Sequence, residues 1–307
     1  MTSFFDDIHQ RLVNCARAGD LPETSRLLAI GADPRHNASR ALSLAAERCH
    51  AQCVKLLLPL SDPKAKDSEA LRKAAFNGHA ECVLLLAPVS DAKAGDSAAL
   101  RWAAYHGQSE VVRQLIPASD PKDSDSGALR WAARNCHVGC VKLLIPASDP
   151  KANTSQALRW AASRGNVECV SLLIPVSDPK AAEPGAFSAF LLAVAHGHLE
   201  CAQLLTPVSG PFLRNKRALS VVVDGDSVEL LALMLAAEPP LLRGDVLPGL
   251  LSSAISKSRP NLTTFLSSIV EQEALIANLP SPAPLNAPPL DAFNYRPSLA
   301  LRPPWPR

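Results

Sequence analysis

Three tryptophans, Trp102, Trp131 and Trp160, recur at a spacing of 29 residues in the middle of the chain. Each follows an arginine within the sequence Ala-Leu-Arg-Trp-Ala-Ala. Tryptophan and arginine dominate many binding interfaces, because they bury a large area and still form hydrogen bonds. The same pair can also serve a single-stranded nucleic acid, with indoles stacked on bases and arginines beside phosphates. The pattern therefore indicates recognition of a macromolecule.

Residue types used in catalysis and metal binding are present without a recognised arrangement. No nucleophile elbow, phosphate loop or His-Glu-x-x-His segment occurs. Histidine and cysteine stand three residues apart at three places: His79 and Cys82, His137 and Cys140, His198 and Cys201. Structural zinc needs four ligands at one point, and successive pairs are more than one repeat apart. An active site needs unlike groups that meet once, so we expect no enzyme activity, no metal and no cofactor.

The tryptophans belong to a longer internal repeat. Equivalent leucines recur every 29 residues at Leu42, Leu71, Leu100, Leu129 and Leu158. Such a period marks stacked units that share one continuous core. A longer first unit begins near Leu12, and after a three-residue insertion Phe190 and then Leu219 take the leucine position. With a degenerate ninth unit near Leu251, the repeat array is predicted to span residues 1–276.

Each unit is predicted to be a helix, a turn, a second helix and a short loop. Leucine and two alanines at offsets 0, 3 and 4, such as Leu100, Ala103 and Ala104, share one helical face. A glycine such as Gly107 closes the first helix, where positive φ is needed, and Cys49 or Cys136 takes this position in two units. Serines three residues before the leucine are predicted to cap the first helix. Prolines are predicted to end the second helix.

These residues resemble the ankyrin repeat motif. The matching residues in one unit are Leu71, Ala74, Ala75, Gly78, His79, Glu81, Val83, Leu85 and Leu86, and Gly31-Ala32-Asp33 matches the loop signature. An ankyrin repeat has about 33 residues, so four are missing here, where the projecting β-hairpin would be. The resemblance implies an all-α, ankyrin-like α-solenoid of stacked helix-turn-helix repeats with truncated hairpin loops.

The resemblance also implies a function. In ankyrin repeats the position after the arginine faces the concave groove, where partner-binding side chains commonly lie. We therefore expect a non-catalytic scaffold that binds an unidentified protein on its concave face. The expected partner-binding residues are Lys73, Phe76, Trp102, Tyr105, Trp131, Arg134, Trp160 and Arg164. The structural alternative is that the tryptophans only cover the inner helices that shortened hairpins expose.

Nucleic-acid binding is the less favoured alternative. An arginine ladder at offset 1, such as Arg101 and Arg130, and a ladder of loop lysines could follow a phosphate backbone. An aspartate stands two residues before each loop lysine, as Asp91 before Lys93, and cancels its field. The formal net charge is only +2. We expect the aspartates and arginines to bond the loop backbone and to pair between neighbouring units.

Composition suggests where the chain works. No apolar run reaches the roughly 18 residues that span a bilayer, and the N-terminus lacks the pattern of a signal peptide. Most cysteines share a position at which Val111 stands in another unit, so they resemble small buried hydrophobes in a reduced, cytoplasmic protein. We expect a monomer with a disordered proline-rich tail at 277–307. The alanine-rich, nearly identical units look bacterial, which leaves a secreted, host-directed effector as an alternative.

Overall fold

The computed structural model describes residues 2–181, 188–209, 216–236 and 246–277. Within these ranges it holds eighteen helices and no strand. The helices form nine successive pairs, here called units 1 to 9. In chain order they are α1 (Thr2–Ala18), α2 (Leu21–Ala29), α3 (His36–Glu47), α4 (Ala51–Leu57), α5 (Ala65–Asn77), α6 (Ala80–Leu86), α7 (Ala94–Tyr105), α8 (Ser109–Leu115), α9 (Asp123–Arg134), α10 (Val138–Leu144), α11 (Ala152–Ser163), α12 (Val167–Leu173), α13 (Ala189–Ala195), α14 (Leu199–Ser209), α15 (Lys216–Gly225), α16 (Val228–Ala236), α17 (Leu247–Ser256) and α18 (Pro260–Ala277).

Two layers of helices pack along the array. Each first helix packs against the second helix of its unit and the first helices of adjacent units. The repeated leucines, such as Leu100 and Leu129, and their paired alanines have no exposed area. One continuous core therefore runs through the units, and the predicted all-α solenoid is confirmed.

The turn between the two helices has the predicted backbone. Gly78, Gly107 and Gly165 have φ of 78°, 74° and 71°. Cys49 and Cys136 adopt the same conformation, with φ of 66° and 61°. A side chain in this region costs roughly 1–2 kcal/mol, so these two turns are strained.

A side chain at offset 8 ties four of these five turns to the unit before it. The carbonyl of Tyr105 accepts a 2.9 Å hydrogen bond from His137 Nε2, and the carbonyl of Glu47 accepts a 3.0 Å bond from His79 Nε2. Asn166 plays the same part by donating from Nδ2 to Ala133 O at 2.9 Å. The ring of His137 packs so closely that a Cβ on Gly107 would lie 2.5 Å from it. These histidines hold units together.

The repeated serines do not cap helices as predicted. The Oγ of Ser97 accepts a hydrogen bond from the backbone N–H of Asp120 at 2.9 Å, and Ser126 Oγ accepts one from Asp149 at 2.9 Å. Both aspartates lie in the loop that leads to the next unit. Each serine ends a turn with positive φ, so its hydroxyl bonds this loop instead of its own helix. The loop aspartates bond the backbone as predicted, for example Asp149 Oδ1 with the N–H two residues later.

A left-handed turn lies within the first residues of the range given for the first helix of each of units 2 to 6. Three successive residues have φ between 49° and 60° in each turn, at 37–39, 66–68, 95–97, 124–126 and 153–155. Arg72 Nη2 donates to Lys66 O at 2.7 Å, and Arg101 Nη2 donates to Gly95 O at 2.7 Å. These arginines stabilise the turns. The predicted pairing with loop aspartates is wrong, because no ion pair of the described residues joins them.

Replacing Lys66 by glycine is expected to raise the free energy of unfolding by up to about 1 kcal/mol, because glycine lacks the Cβ that makes positive φ costly. Lys66 is exposed with φ of 50°, and Gly95 holds the same position in unit 4. Urea unfolding followed by circular dichroism measures the change. In the control, Lys55→Gly inside α4, the free energy of unfolding should fall by about 1 kcal/mol. Equal losses in both variants would contradict this account of the turn.

The last units depart from the prediction in two places, one at a helix end and one in the buried face of a helix. The second helix of unit 7, α14, contains Pro207 in its last turn, so the prediction that proline ends it is wrong there. In α17 Leu250 and Ala254 are buried while Leu251 is half-buried, so the core face begins one residue earlier than predicted. The reason is that Leu247, Leu250 and Ala254 recur at i, i+3 and i+7 on one helical face. Beyond Ala277, the predicted tail lies outside the described residues.

Candidate functional site: an aromatic stripe on the first helices

Five aromatic side chains from α5, α7, α9 and α11 form a continuous row across four units. We call this row the aromatic stripe: Phe76, Trp102, Tyr105, Trp131 and Trp160. Phe76 and Trp102 have ring centroids 5.4 Å apart, and Trp102 and Tyr105 are 6.0 Å apart. Tyr105 to Trp131 spans 5.4 Å, and Trp131 to Trp160 spans 5.2 Å. These separations lie in the range of favourable aromatic pairs.

The stripe is most exposed at its start. Phe76 is 42% exposed, Trp102 44% and Tyr105 36%, whereas Trp131 and Trp160 are half-buried. Offset 2 lies away from the buried leucine and alanines of the same helix, which explains why none of the indoles enters the core. A contiguous exposed apolar patch is a common mark of an interaction site.

Arginines lie over the indoles of units 5 and 6. The guanidinium carbon of Arg134 is 5.0 Å from the ring centroid of Trp131 and 5.3 Å from that of Trp160. That of Arg130 is 5.7 Å from Trp160. Such cation–π contacts contribute about 0.5–1 kcal/mol each at exposed sites. Arg134 is thereby held in place beside both rings, where it adds positive charge to the stripe.

Two cavities open along the stripe, one bordered by Trp131 and the other by Trp160. The first has a volume of about 340 Å³ and is lined by Arg101, Trp102, Tyr105 and Trp131. The second has a volume of about 470 Å³ and is lined by Arg134, Trp160, Ser163, Arg164 and His196. Both volumes fall in the lower part of the range of ligand sites, roughly 300–1,000 Å³. The first cavity is lined mainly by aromatic rings, whereas the second contains two arginines.

Lys73 lies beyond the Phe76 end of the stripe and is already paired. Its ammonium group is 2.8 Å from a carboxylate oxygen of Glu47 and 3.1 Å from one of Glu69. Desolvation lowers the pKa of Lys73, but its hydrogen bonds to Glu47 and Glu69 outweigh that effect and the pKa is raised. Of the eight predicted residues, Lys73 is therefore the least available to a partner.

Four residues of the site were not among the predicted partner-binding residues, and one of them is Ser163 in the second cavity. Arg101 lines the first cavity, and His196 lines the second. His106 packs edge-on against Phe76 at 4.4 Å and Tyr105 at 4.8 Å, and its buried Nε2 has no hydrogen-bond partner. His106 and His196 share offset 6, so this position was the signal in the sequence that could have identified both.

All eight cysteine thiols are free, and five are buried at the shared position of the second helices. Burial raises the pKa of Cys82 and Cys169 to about 12 and that of Cys201 to about 11. A thiol that stays protonated is a poor nucleophile and a poor metal ligand. These cysteines therefore act as small apolar residues in the core.

The double variant Cys82→Val, Cys169→Val is expected to lose less stability than the wild type between pH 9 and pH 12. Unfolded thiols ionise near the ordinary pKa of 9.0, whereas these buried thiols stay protonated up to about pH 12. The unfolded state then binds fewer protons, so stability falls as pH rises through this window. Val111 is buried at the same position, so valine fits. Urea unfolding in reductant at pH 8 and pH 10.5 measures the loss of unfolding free energy between these two pH values for the wild type and the variant. Equal losses would contradict the prediction.

Within the described ranges, the helices are too short or too polar to cross a bilayer. In the same ranges no three histidine, cysteine, aspartate or glutamate side chains converge as metal ligands would. The site consists of aromatic rings, arginines and the two histidines His106 and His196. Such a set can bind apolar and anionic groups.

Comparison with known protein families agrees with the repeat pattern. The family model for ankyrin repeats (3 copies) matches residues 12–97, 89–154 and 129–217. These stretches overlap and together span residues 12–217, which is more than half of the 307 residues. No curated protein matches the chain. Ankyrin repeats are generally protein–protein interaction modules and are typically non-catalytic. The chain belongs to the ankyrin repeat family.

Proposed function

We propose that this chain is a non-catalytic scaffold that binds a protein partner on the concave face, through the aromatic stripe and Arg134 and Arg164. The observation that carries the proposal is the unbroken row of rings, with Trp102 44% exposed beside a cavity of about 340 Å³. A soluble repeat array gains nothing in its own core from a ring left this exposed. A partner that covers it would gain apolar burial of about 25 cal/mol per Å².

The scaffold holds the rings in place before a partner arrives. Each indole sits on a helix whose leucine and alanines are fully buried, and adjacent units are tied by hydrogen bonds such as His137 to Tyr105 O. Side chains fixed in this way lose little conformational entropy on binding. Arg134 is similarly fixed by its contacts with Trp131 and Trp160. The stripe therefore has the rigidity and composition of an interface hot spot.

The arginine ladder supports a protein partner over a nucleic acid. Arg72 and Arg101 donate to backbone carbonyls of their own turns, so these donors are not free to follow phosphates. Outside the ladder, Arg134 and Arg164 at the stripe still have donors for a ligand. Two positive charges are few for a groove that binds a nucleic acid. The half-buried Trp131 and Trp160 also cover the inner helices, so they serve the fold and the proposed interface together.

The triple variant Trp102→Ala, Trp131→Ala, Trp160→Ala is expected to lose partner capture and keep its helical content. Removal of hot-spot aromatic residues costs at least about 2 kcal/mol each in typical interfaces. Affinity purification from matched lysates with quantitative mass spectrometry measures capture, and circular dichroism measures helix content.

The matched control is Leu84→Ala, which removes a side chain that is 62% exposed on the second helix of unit 3. It should retain every protein that the wild type captures. Loss of helical content in the triple variant would assign the tryptophans to the fold. Equal capture by the triple variant and the wild type would refute the proposed interface.

A further inference from the structure

We infer that the segment bound at the stripe is an acidic peptide that also carries a bulky apolar side chain. Its apolar side chain would enter the cavity between Trp102 and Trp131, and a carboxylate would lie in the second cavity with Arg134 and Arg164. This inference rests on the proposed function and adds the chemistry of the partner. It depends on the different linings of the two cavities and on the charges around them.

The first cavity suits an apolar side chain because its lining is mostly aromatic and both terminal nitrogens of its one arginine are already bonded. Three of its four lining residues are aromatic. The fourth, Arg101, donates from Nη2 to Gly95 O at 2.7 Å and from Nη1 to Ser124 Oγ at 3.1 Å. With its guanidinium bonded to protein, Arg101 offers mainly the methylene groups of its side chain to the cavity. Leucine, methionine or an aromatic side chain fits this environment.

The second cavity suits a carboxylate because its two arginines form no ion pair with any described residue. Arg134, Arg164 and His196 line it, and no aspartate or glutamate does. Among the described residues, no ion pair includes either arginine. Both arginines stand at the C-terminal ends of helices, where the helix dipole favours a cation. Guanidinium groups bind carboxylates through paired, charge-assisted hydrogen bonds.

The two cavities are close enough for one short segment. Trp131 borders the first and Trp160 the second, and their ring centroids are only 5.2 Å apart, with Arg134 over both. The arginines with available donors lie at one end of the stripe, because both terminal nitrogens of Arg101 are bonded to protein and the amine of Lys73 is neutralised by two glutamates. The apolar residue would therefore lie towards unit 4 and the acidic residue towards units 6 and 7.

A displayed library of random peptides, selected on the full chain, tests this inference directly. Selected peptides should share an aspartate or glutamate a few residues from a leucine, methionine or aromatic residue. In a synthetic peptide of the selected sequence, changing the acidic residue to its amide should weaken binding at least about tenfold. Fluorescence anisotropy with the labelled peptide measures this change.

Protein variants separate the two cavities. Trp102→Ala should weaken the acidic peptide and its amide analogue alike, whereas Arg164→Gln should weaken only the acidic peptide. Arg164 is exposed, so this change leaves the fold intact, and Arg134→Gln provides a second test of the same cavity. Arg113→Gln is the control, because Arg113 is an exposed arginine on α8, outside both cavities.

Other results of these binding experiments would contradict the inference, the proposed function or both. Peptides that need Trp102 but lack a required acidic residue, or that ignore both arginine changes, would overturn the inference and leave the proposed function standing. Tight, tryptophan-dependent binding of an oligothymidylate with no peptide selected would overturn both, in favour of a nucleic acid. Selected peptides that bind the triple tryptophan variant equally well would also refute the proposed interface.

Discussion

Replacing Leu129 by alanine is expected to lower the free energy of unfolding by about 2–5 kcal/mol. Leu129 has no exposed area and lies in α9, between the first helices of units 4 and 6. The variant loses the transfer free energy of the buried side chain and leaves a cavity that the stacked helices fill only in part. Because each unit packs only on its neighbours, damage to unit 5 also weakens the link between the two halves of the array.

Urea unfolding monitored by circular dichroism measures this loss. A second, lower transition is expected in the variant, as the halves on either side of unit 5 unfold separately. The control is again Leu84→Ala, whose side chain is largely exposed and whose loss should be below about 0.5 kcal/mol. Similar losses for both leucines would contradict a core centred on the first-helix leucines.

Replacing Ser97, Ser126 and Ser155 together by alanine is expected to lower the free energy of unfolding by at least about 3 kcal/mol. Each buried hydroxyl accepts a hydrogen bond from a loop N–H at 2.8–2.9 Å. An N–H group left without an acceptor costs about 1–3 kcal/mol. The three sites are in different units, so their losses should nearly add.

The control for the serine series is Ser171→Ala. Ser171 is exposed on α12, and its hydroxyl donates to Glu168 O in the same helix at 2.8 Å. Its replacement should change stability by less than about 0.5 kcal/mol. Hydrogen exchange at Asp120, Asp149 and Asp178 gives a local readout, since these N–H groups should lose protection. Unchanged protection would mean that the serines do not hold the loops.

The parts of the fold that repeat were predictable from the sequence. Leucine and alanine recur at helical spacing, so the buried face of α7 followed from Leu100, Ala103 and Ala104 alone. The positive φ at Gly107 was also predictable, because glycine closes helices at this position. The same argument extended to Cys49 and Cys136, which share the position without being glycine.

The left-handed turns were not predictable in the same way. Lys66, Asp67 and Ser68 all have positive φ, but lysine has no preference for that region. Gly95, Asn37 and Asn153 hold the same position in three other units and tolerate this region, but Lys66 and Ser124 do not mark it. Without these turns, each serine looked like an ordinary helix cap, and each arginine looked free to pair with an aspartate.

The site was predictable as a row of side chains but not as a set of charges. Spacing alone placed Trp102, Trp131 and Trp160 on successive first helices. It did not show that two glutamates would neutralise Lys73 or that Arg134 would lie over two indoles, since both depend on side-chain reach across units. A monomeric state, a cytoplasmic location and the effector alternative stay predictions of the sequence.

The confinement of contacts to adjacent units has a mechanical consequence. Under tension applied to its two ends, the chain carries the load through every unit in series, so the weakest unit yields first. A released unit of 29 residues lengthens the chain by about 90 Å, which is its extended length less the space it occupied in the stack. The protein is therefore expected to extend in steps of similar length. In the units that are still folded, the aromatic rings keep their spacing while other units unfold.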